Sequence, residues 1–123
     1  MRSIDFVLAF PQADVQTDIY LKVPKGCKVK NADPGGNYLK LIKNVYGLCD
    51  ASLTWHNHLK KGLISRGFKQ SEVDPCLFIK GQTILILHVD DACLCGPNKR
   101  EIQDIIKSLQ KDFDMTDEGD LKD

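Results

Sequence analysis

The sequence predicts an α+β domain: an antiparallel sheet with helices packed on one face. Three observations lead there. Several short runs have strand composition, such as "SIDFV", "IYLKV" and "TILILHV". Two longer segments, near 50–66 and 98–113, repeat their apolar residues at helical spacing. The resulting order is strand, hairpin, helix, strands, helix, which a two-layer arrangement accommodates. A length of 123 residues suits one domain with a modest core.

The elements follow from local chemistry. Ser3 to Val7 reads as a short strand carrying Asp5, and "FPQADVQTD" as a turn-rich connector. Ile19 to Val23 is a strand ending at Pro24, and Tyr38 to Lys43 is another. Pro, Gly, Asn and Asp dominate the stretch between them, so 24–37 is a loop and the two strands form a hairpin across it. From Asp50 to Arg66, Trp55, Leu59 and Leu63 recur every fourth residue, while Lys60 and Lys61 fall off the stripe. Asp50 or Ser52 can cap that helix, and Gly67 ends it.

"FKQSEVDP" is a connector with an Asp74-Pro75 turn. "CLFIK" and "TILILHV" are strands around Gly81-Gln82, and the near-continuous apolar run from Thr83 to Val89 predicts burial on both faces. "ACLC" is a further short strand. After Gly96-Pro97, Asn98 stands as a helix cap with Glu101 at the capping-box position. Ile102, Ile105, Ile106, Leu109 and Phe113 then follow at helical spacing. The acidic tail "DMTDEGDLKD" reads as ending without a closing element.

Composition narrows the function. Lys plus Arg equals Asp plus Glu at 17 each, so no overall positive charge points to nucleic acid. Lys60, Lys61, Arg66 and Lys69 read as a solvated helix face. No apolar run is long enough to span a membrane, and the N-terminus has no signal-peptide pattern. Five irregularly spaced cysteines fit free thiols in an intracellular, cytoplasmic setting.

The candidate chemistry sits in "TILILHVDDACLCG", where Asp90 and Asp91 interrupt two apolar runs. On its own, the pair reads as the tip of a tight hairpin, since Asp is a favoured turn residue. Asp5 adds a third carboxylate in an apolar context. If its strand lies beside the hairpin, Asp5 and Asp90 face each other, raise each other's pKa and repel. A divalent cation relieves that conflict, and an all-oxygen set suits Mg2+ or Mn2+. Two such ions clamp the attacking and leaving oxygens of a phosphoryl displacement. Cys93 and Cys95 lack a second Cys/His pair at zinc spacing and read as a buried thiol pair. His56 and His58, two apart on a helix, point different ways and read as rim residues.

The chain also resembles a known family. "SIDFVLAFPQADVQTDIYLKVPKG" is similar to the first half of the Ty1/copia-type retrotransposon reverse transcriptase domain. "KLIKNVYGL" with the later Trp55, "GFKQSEVDPCLFIK", "HVDD" and "FDMTDEGDLKD" resemble its further motifs, in the right order over essentially the whole chain. The resemblance implies a polymerase palm, a ferredoxin-like antiparallel sheet with helices on one face. By it, 1–123 is a single partial domain truncated at both ends, a palm with a remnant of fingers, lacking thumb, ribonuclease H and the remaining Pol polyprotein domains. It implies RNA-directed DNA polymerase activity by two-metal nucleotidyl transfer, with RNA or DNA template-primer and dNTP as partners. The family setting is a cytoplasmic virus-like particle.

Carried over residue by residue, Asp5, Asp90 and Asp91 are the catalytic and metal-holding acids for Mg2+ or Mn2+. Phe10 falls on the aromatic under the incoming sugar, which excludes a ribose 2′-hydroxyl. Tyr46, Gly47 and the segment to Trp55 fall where the nascent base pair and template are contacted, and His88 falls beside the primer. Two departures stand out. Cys49-Asp50-Ala51-Ser52-Leu53-Thr54 replaces the family's Lys-Gln-Ala-Pro-Arg-Ala before Trp55, and His88 replaces the usual Tyr. They keep two alternatives open: a catalytically inactive relic, or a small α+β interaction domain.

Overall fold

In the computed structural model, residues 1–28 and 38–121 are described. Most of the 24–37 loop lies outside them. The elements are β1 (Arg2–Phe6), α1 (Ala9–Gln12), β2 (Tyr20–Lys22), β3 (Tyr38–Lys40), α2 (Ala51–Ser65), β4 (Lys69–Gln70), β5 (Leu77–Lys80), β6 (Thr83–His88), β7 (Asp91–Cys95), α3 (Lys99–Asp112) and β8 (Met115–Asp120). A six-stranded sheet runs β4-β5-β6-β7-β1-β8, antiparallel at every pairing, and β2 and β3 form a separate hairpin. The protein is therefore α+β. Read through β1, α2, β6, β7, α3 and β8, the chain is a split β-α-β-β-α-β unit with strand order β8-β1-β7-β6, the ferredoxin-like topology.

One core holds the layers together. The sheet contributes Ile4, Phe6, Phe78, Leu85, Leu87 and Leu94, and the helices contribute Trp55, Leu59, Leu63, Ile102, Ile105, Ile106 and Leu109. The helical stripes thus bury the residues their spacing predicts. At α3 the Asn98 side chain accepts hydrogen bonds from the amides of Arg100 and Glu101, satisfying two otherwise orphaned donors. At α2 Asp50 makes no side-chain cap; instead the Thr54 hydroxyl donates to its carbonyl at 2.8 Å.

Three expectations need correction. β6 is not buried on both faces: Thr83, Leu85 and Leu87 are buried, while Ile84, Ile86 and His88 are exposed. Helices cover only one side of the sheet, so a run that is apolar at both parities still alternates in burial. The acidic tail does close the sheet, because β8 pairs with β1 over its whole length. Its few apolar residues hide this. Backbone pairing, an Arg2–Asp117 ion pair at 2.5 Å and a Ser3–Glu118 hydrogen bond at 3.0 Å hold it, with a register shift that Gly119 accommodates at φ 84. Cys93 and Cys95 lie on the uncovered face and are only half-buried.

Phe113, just past α3, packs edge-on against Phe6 at 6.1 Å and Trp55 at 6.0 Å, between ring centroids. Gly62 in α2 makes room for it: a Cβ there would stand 2.6 Å from a Phe113 ring carbon. This aromatic cluster lies directly beneath the β1 end that carries Asp5.

Candidate functional site

Strand alternation decides which side chains meet. On β1, Ile4 and Phe6 face the core, so Asp5 between them faces the uncovered side. Its cross-strand partner on β7 is Asp91, and on β8 it is Thr116. Asp91 in turn pairs with His88 on β6. One row across the sheet end therefore reads His88, Asp91, Asp5, Thr116. Asp90 lies one step outside the row, in the two-residue turn with Val89. The residue opposite Asp5 is thus Asp91, with Asp90 at the tip nearby.

The electrostatics follow from this crowding. Partial burial, the charges of Asp91 and then Asp90, and a hydrogen bond with Asp91 all push the Asp5 carboxyl above its ordinary value. Among the described residues the ion pairs are Arg2–Asp117, Lys40–Asp18, Lys43–Asp14 and Arg66–Asp112, none of which reaches these acids. No group of three or more His, Cys, Asp or Glu side chains among the described residues is arranged to hold a metal ion. The donor set itself fits a hard cation, since it is oxygen-only and mutually repelling, and among the described residues no ion pair joins it to an ammonium or guanidinium. Mg2+ asks for one or two carboxylates and fills the rest of its shell with water.

The backbone around the acids is constrained. Among the described residues, the two non-glycine residues with positive φ are Leu8 at 47° and Val89 at 54°, at the chain reversals following Asp5 and preceding Asp90. For a β-branched residue that conformation is strained, and strain of this kind clusters at functional sites. Phe6 N–H donates to the Asp90 carbonyl at 2.7 Å, and the Trp55 indole N–H donates to the Val89 carbonyl at 2.8 Å.

Phe10 and Tyr46 come together, with ring centroids 4.6 Å apart and planes at 31°. Phe10 is on α1, directly after β1, and Gly47 makes the turn beyond Tyr46 with φ 98. Trp55 departs from its expected place in a substrate-facing segment: it is 2% exposed and packs on Phe6 at 5.2 Å. The apolar stripe at every fourth position was the signal for that burial. Nothing local in the sequence marked its bond to Val89. A cavity of 750 Å3 opens along α2, lined by residues including Asp14, Asp50, Thr54, Asn57 and His58. Within it, burial and then the charge of Lys43 lower the His58 pKa.

With this geometry in place, the relationships of the chain become informative. The family described as reverse transcriptase (RNA-dependent DNA polymerase) matches residues 1–123. The Retrovirus-related Pol polyprotein from transposon TNT 1-94 of Nicotiana tabacum is 32% identical over 124 residues, covering 97% of this chain and 9% of that polyprotein. The Retrovirus-related Pol polyprotein from transposon RE1 of Arabidopsis thaliana is 30% identical over 126 residues, covering 98% and 8%. The truncated transposon Ty1-A Gag-Pol polyprotein of Saccharomyces cerevisiae is 26% identical over 112 residues, covering 90% and 9%. The chain belongs to the reverse transcriptase family, in its Ty1/copia type, and spans less than a tenth of these relatives. No solved structure matches it. Among the described residues no helix is long and apolar enough to cross a membrane.

Proposed function

We propose that the chain is the palm of an RNA-directed DNA polymerase, with template-primer and dNTP as partners and Asp5, Asp90 and Asp91 as holders of Mg2+ or Mn2+. One observation carries the reading. Carboxylates from two different strands meet on an uncovered sheet face, a third stands beside them, and among the described residues no ion pair joins any of them to a basic side chain. Such crowding destabilises a fold unless something positive joins it. Bound there, paired ions supply a lowered pKa for a primer 3′-hydroxyl and a stabilised leaving pyrophosphate.

The chain's own residues then have distinct tasks. Asp5 and Asp91 present oxygens from strand backbone, which limits their wandering, and Asp90 presents one from the turn. Phe10, backed by Tyr46, forms a flat aromatic support for an incoming sugar. Gly47 lets the backbone pass close to a nascent base pair, and His88 extends the acidic row toward a primer. The reading carries an intracellular, cytoplasmic setting with it. Phosphoryl transfer depends on positioning by parts of a polymerase outside the palm. The 123-residue chain alone is therefore expected to bind ions and to incorporate almost no nucleotide.

The exposed start of α2 favours a second reading. Asp50, Ser52 and Leu53 are exposed where the resemblance expects basic contacts to a polyanion, which suits an inactive relic or a small interaction domain. Calorimetric titration with Mn2+ decides between them. The palm reading expects heat from the parent chain that disappears in Asp5→Asn and in Asp90→Asn. A parent chain that gives no heat is the relic.

A further inference from the structure

We propose that Trp55 is a positioning residue that latches the acidic turn: its indole N–H holds Val89 in a left-handed conformation and thereby sets where Asp90 and Asp91 stand. The metal-holding role of those acids rests on the function proposed above, but the latch itself does not. Val89 and Asp90 are the two central residues of the β6–β7 hairpin, since His88 and Asp91 are its closing pair. Val89 has φ 54 and Asp90 does not share a positive φ, the pattern of a type II′ turn, whose first central position favours glycine. A β-branched residue adopts that conformation only when its surroundings hold it there.

Two hydrogen bonds do so from different layers. The Trp55 indole N–H donates to the Val89 carbonyl at 2.8 Å from helix α2, and Phe6 N–H donates to the Asp90 carbonyl at 2.7 Å from strand β1. Successive carbonyls of the turn are thus tied to successive layers of the domain. Trp55 cannot drift, because it is 2% exposed and its ring meets Phe6 at 5.2 Å and Phe113 at 6.0 Å. Phe6 neighbours Asp5 in sequence and touches Trp55, so one rigid cluster sets both the strand that carries Asp5 and the turn that carries Asp90. A phenylalanine at 55 would keep most of the packing and lose the donor.

The test is amide hydrogen exchange by NMR on the 123-residue chain, comparing Phe6 N–H with the core amide of Leu109. In Trp55→Phe, Phe6 exchange is expected to speed up about five- to tenfold relative to Leu109, the factor that one net hydrogen bond is worth. The strong intraresidue HN–Hα contact that marks a left-handed Val89 should also weaken. Adding Val89→Gly should restore slow exchange at Phe6, because glycine adopts the turn without being held. Equal acceleration at Phe6 and Leu109, or no rescue by glycine, would mean that Trp55 only packs, and would overturn the latch. If Trp55→Phe is too unstable to measure, the double variant decides: parent-like exchange supports the latch, and an unfolded chain refutes it. Mn2+ titration separates the two claims. A parent without Mn2+ heat defeats the polymerase reading alone, and unchanged exchange in Trp55→Phe defeats the latch alone.

Discussion

Gly62→Ala should destabilise this protein, although the same change in an exposed helix stabilises it. Helix propensity favours alanine over glycine by about 1 kcal/mol. At this position the new methyl would meet Phe113 ring carbons at 2.6 and 2.7 Å, far inside the contact distance of about 3.5–4.0 Å between carbons. The ring has nowhere to go. Phe6, Trp55 and His58 surround it with centroids 6.1, 6.0 and 5.3 Å away, and Phe113 is only 4% exposed. Overpacking of this kind costs about 1–3 kcal/mol, and such a deep overlap belongs in the upper half of that range. Subtracting the propensity gain leaves a net loss of about 1–2 kcal/mol. For a chain of this length that is a fall in Tm of about 4–8 °C. Thermal unfolding followed by circular dichroism measures it. In a Phe113→Leu background the overlap is gone, so Gly62→Ala should there become neutral or stabilising, by up to about 1 kcal/mol. A rise in Tm for Gly62→Ala in the parent, or effects that add without coupling, would refute the reasoning.

Further outcomes follow from the site and the helix ends. Asp5→Asn removes a carboxyl that partial burial, Asp91 and Asp90 hold above its ordinary value. A raised carboxyl keeps its proton in the folded chain, so its favourable contribution is full below the unfolded value and is lost as pH rises through the folded one. In metal-free buffer Asp5→Asn should therefore melt like the parent at low pH and above it near neutrality; a gap independent of pH would contradict the carboxylate crowding. Asn98→Ala removes the acceptor for the Arg100 and Glu101 amides and should cost about 1 kcal/mol, seen as a lower urea midpoint at unchanged m. An unaltered midpoint would mean that water replaces the cap without penalty.

Much of this protein was legible along the chain because the signals are local. Trp55, Leu59 and Leu63 announce α2, and Asn98 with Ile102, Ile105, Ile106 and Leu109 announces α3, since helical spacing and capping involve residues within one or two turns. The α+β class and the family motifs were readable for the same reason. Pairing between distant strands is written in no such pattern. That β8 closes the sheet on β1, and that β6 alternates although its sequence does not, depends on which face the helices cover. Asp5 meets Asp91 because β1 pairs with β7 in one register, and a slip of one residue would turn Asp5 into the core. Trp55 reaches the Val89 carbonyl across a gap of 34 residues for the same kind of reason. The sequence by itself determined the two long helices, most strand-forming runs and the acids, while α1 and β4 lie in stretches that read as connectors; the tertiary structure alone decided which acids adjoin and what holds their turn, because register and layer packing are properties of the assembled chain.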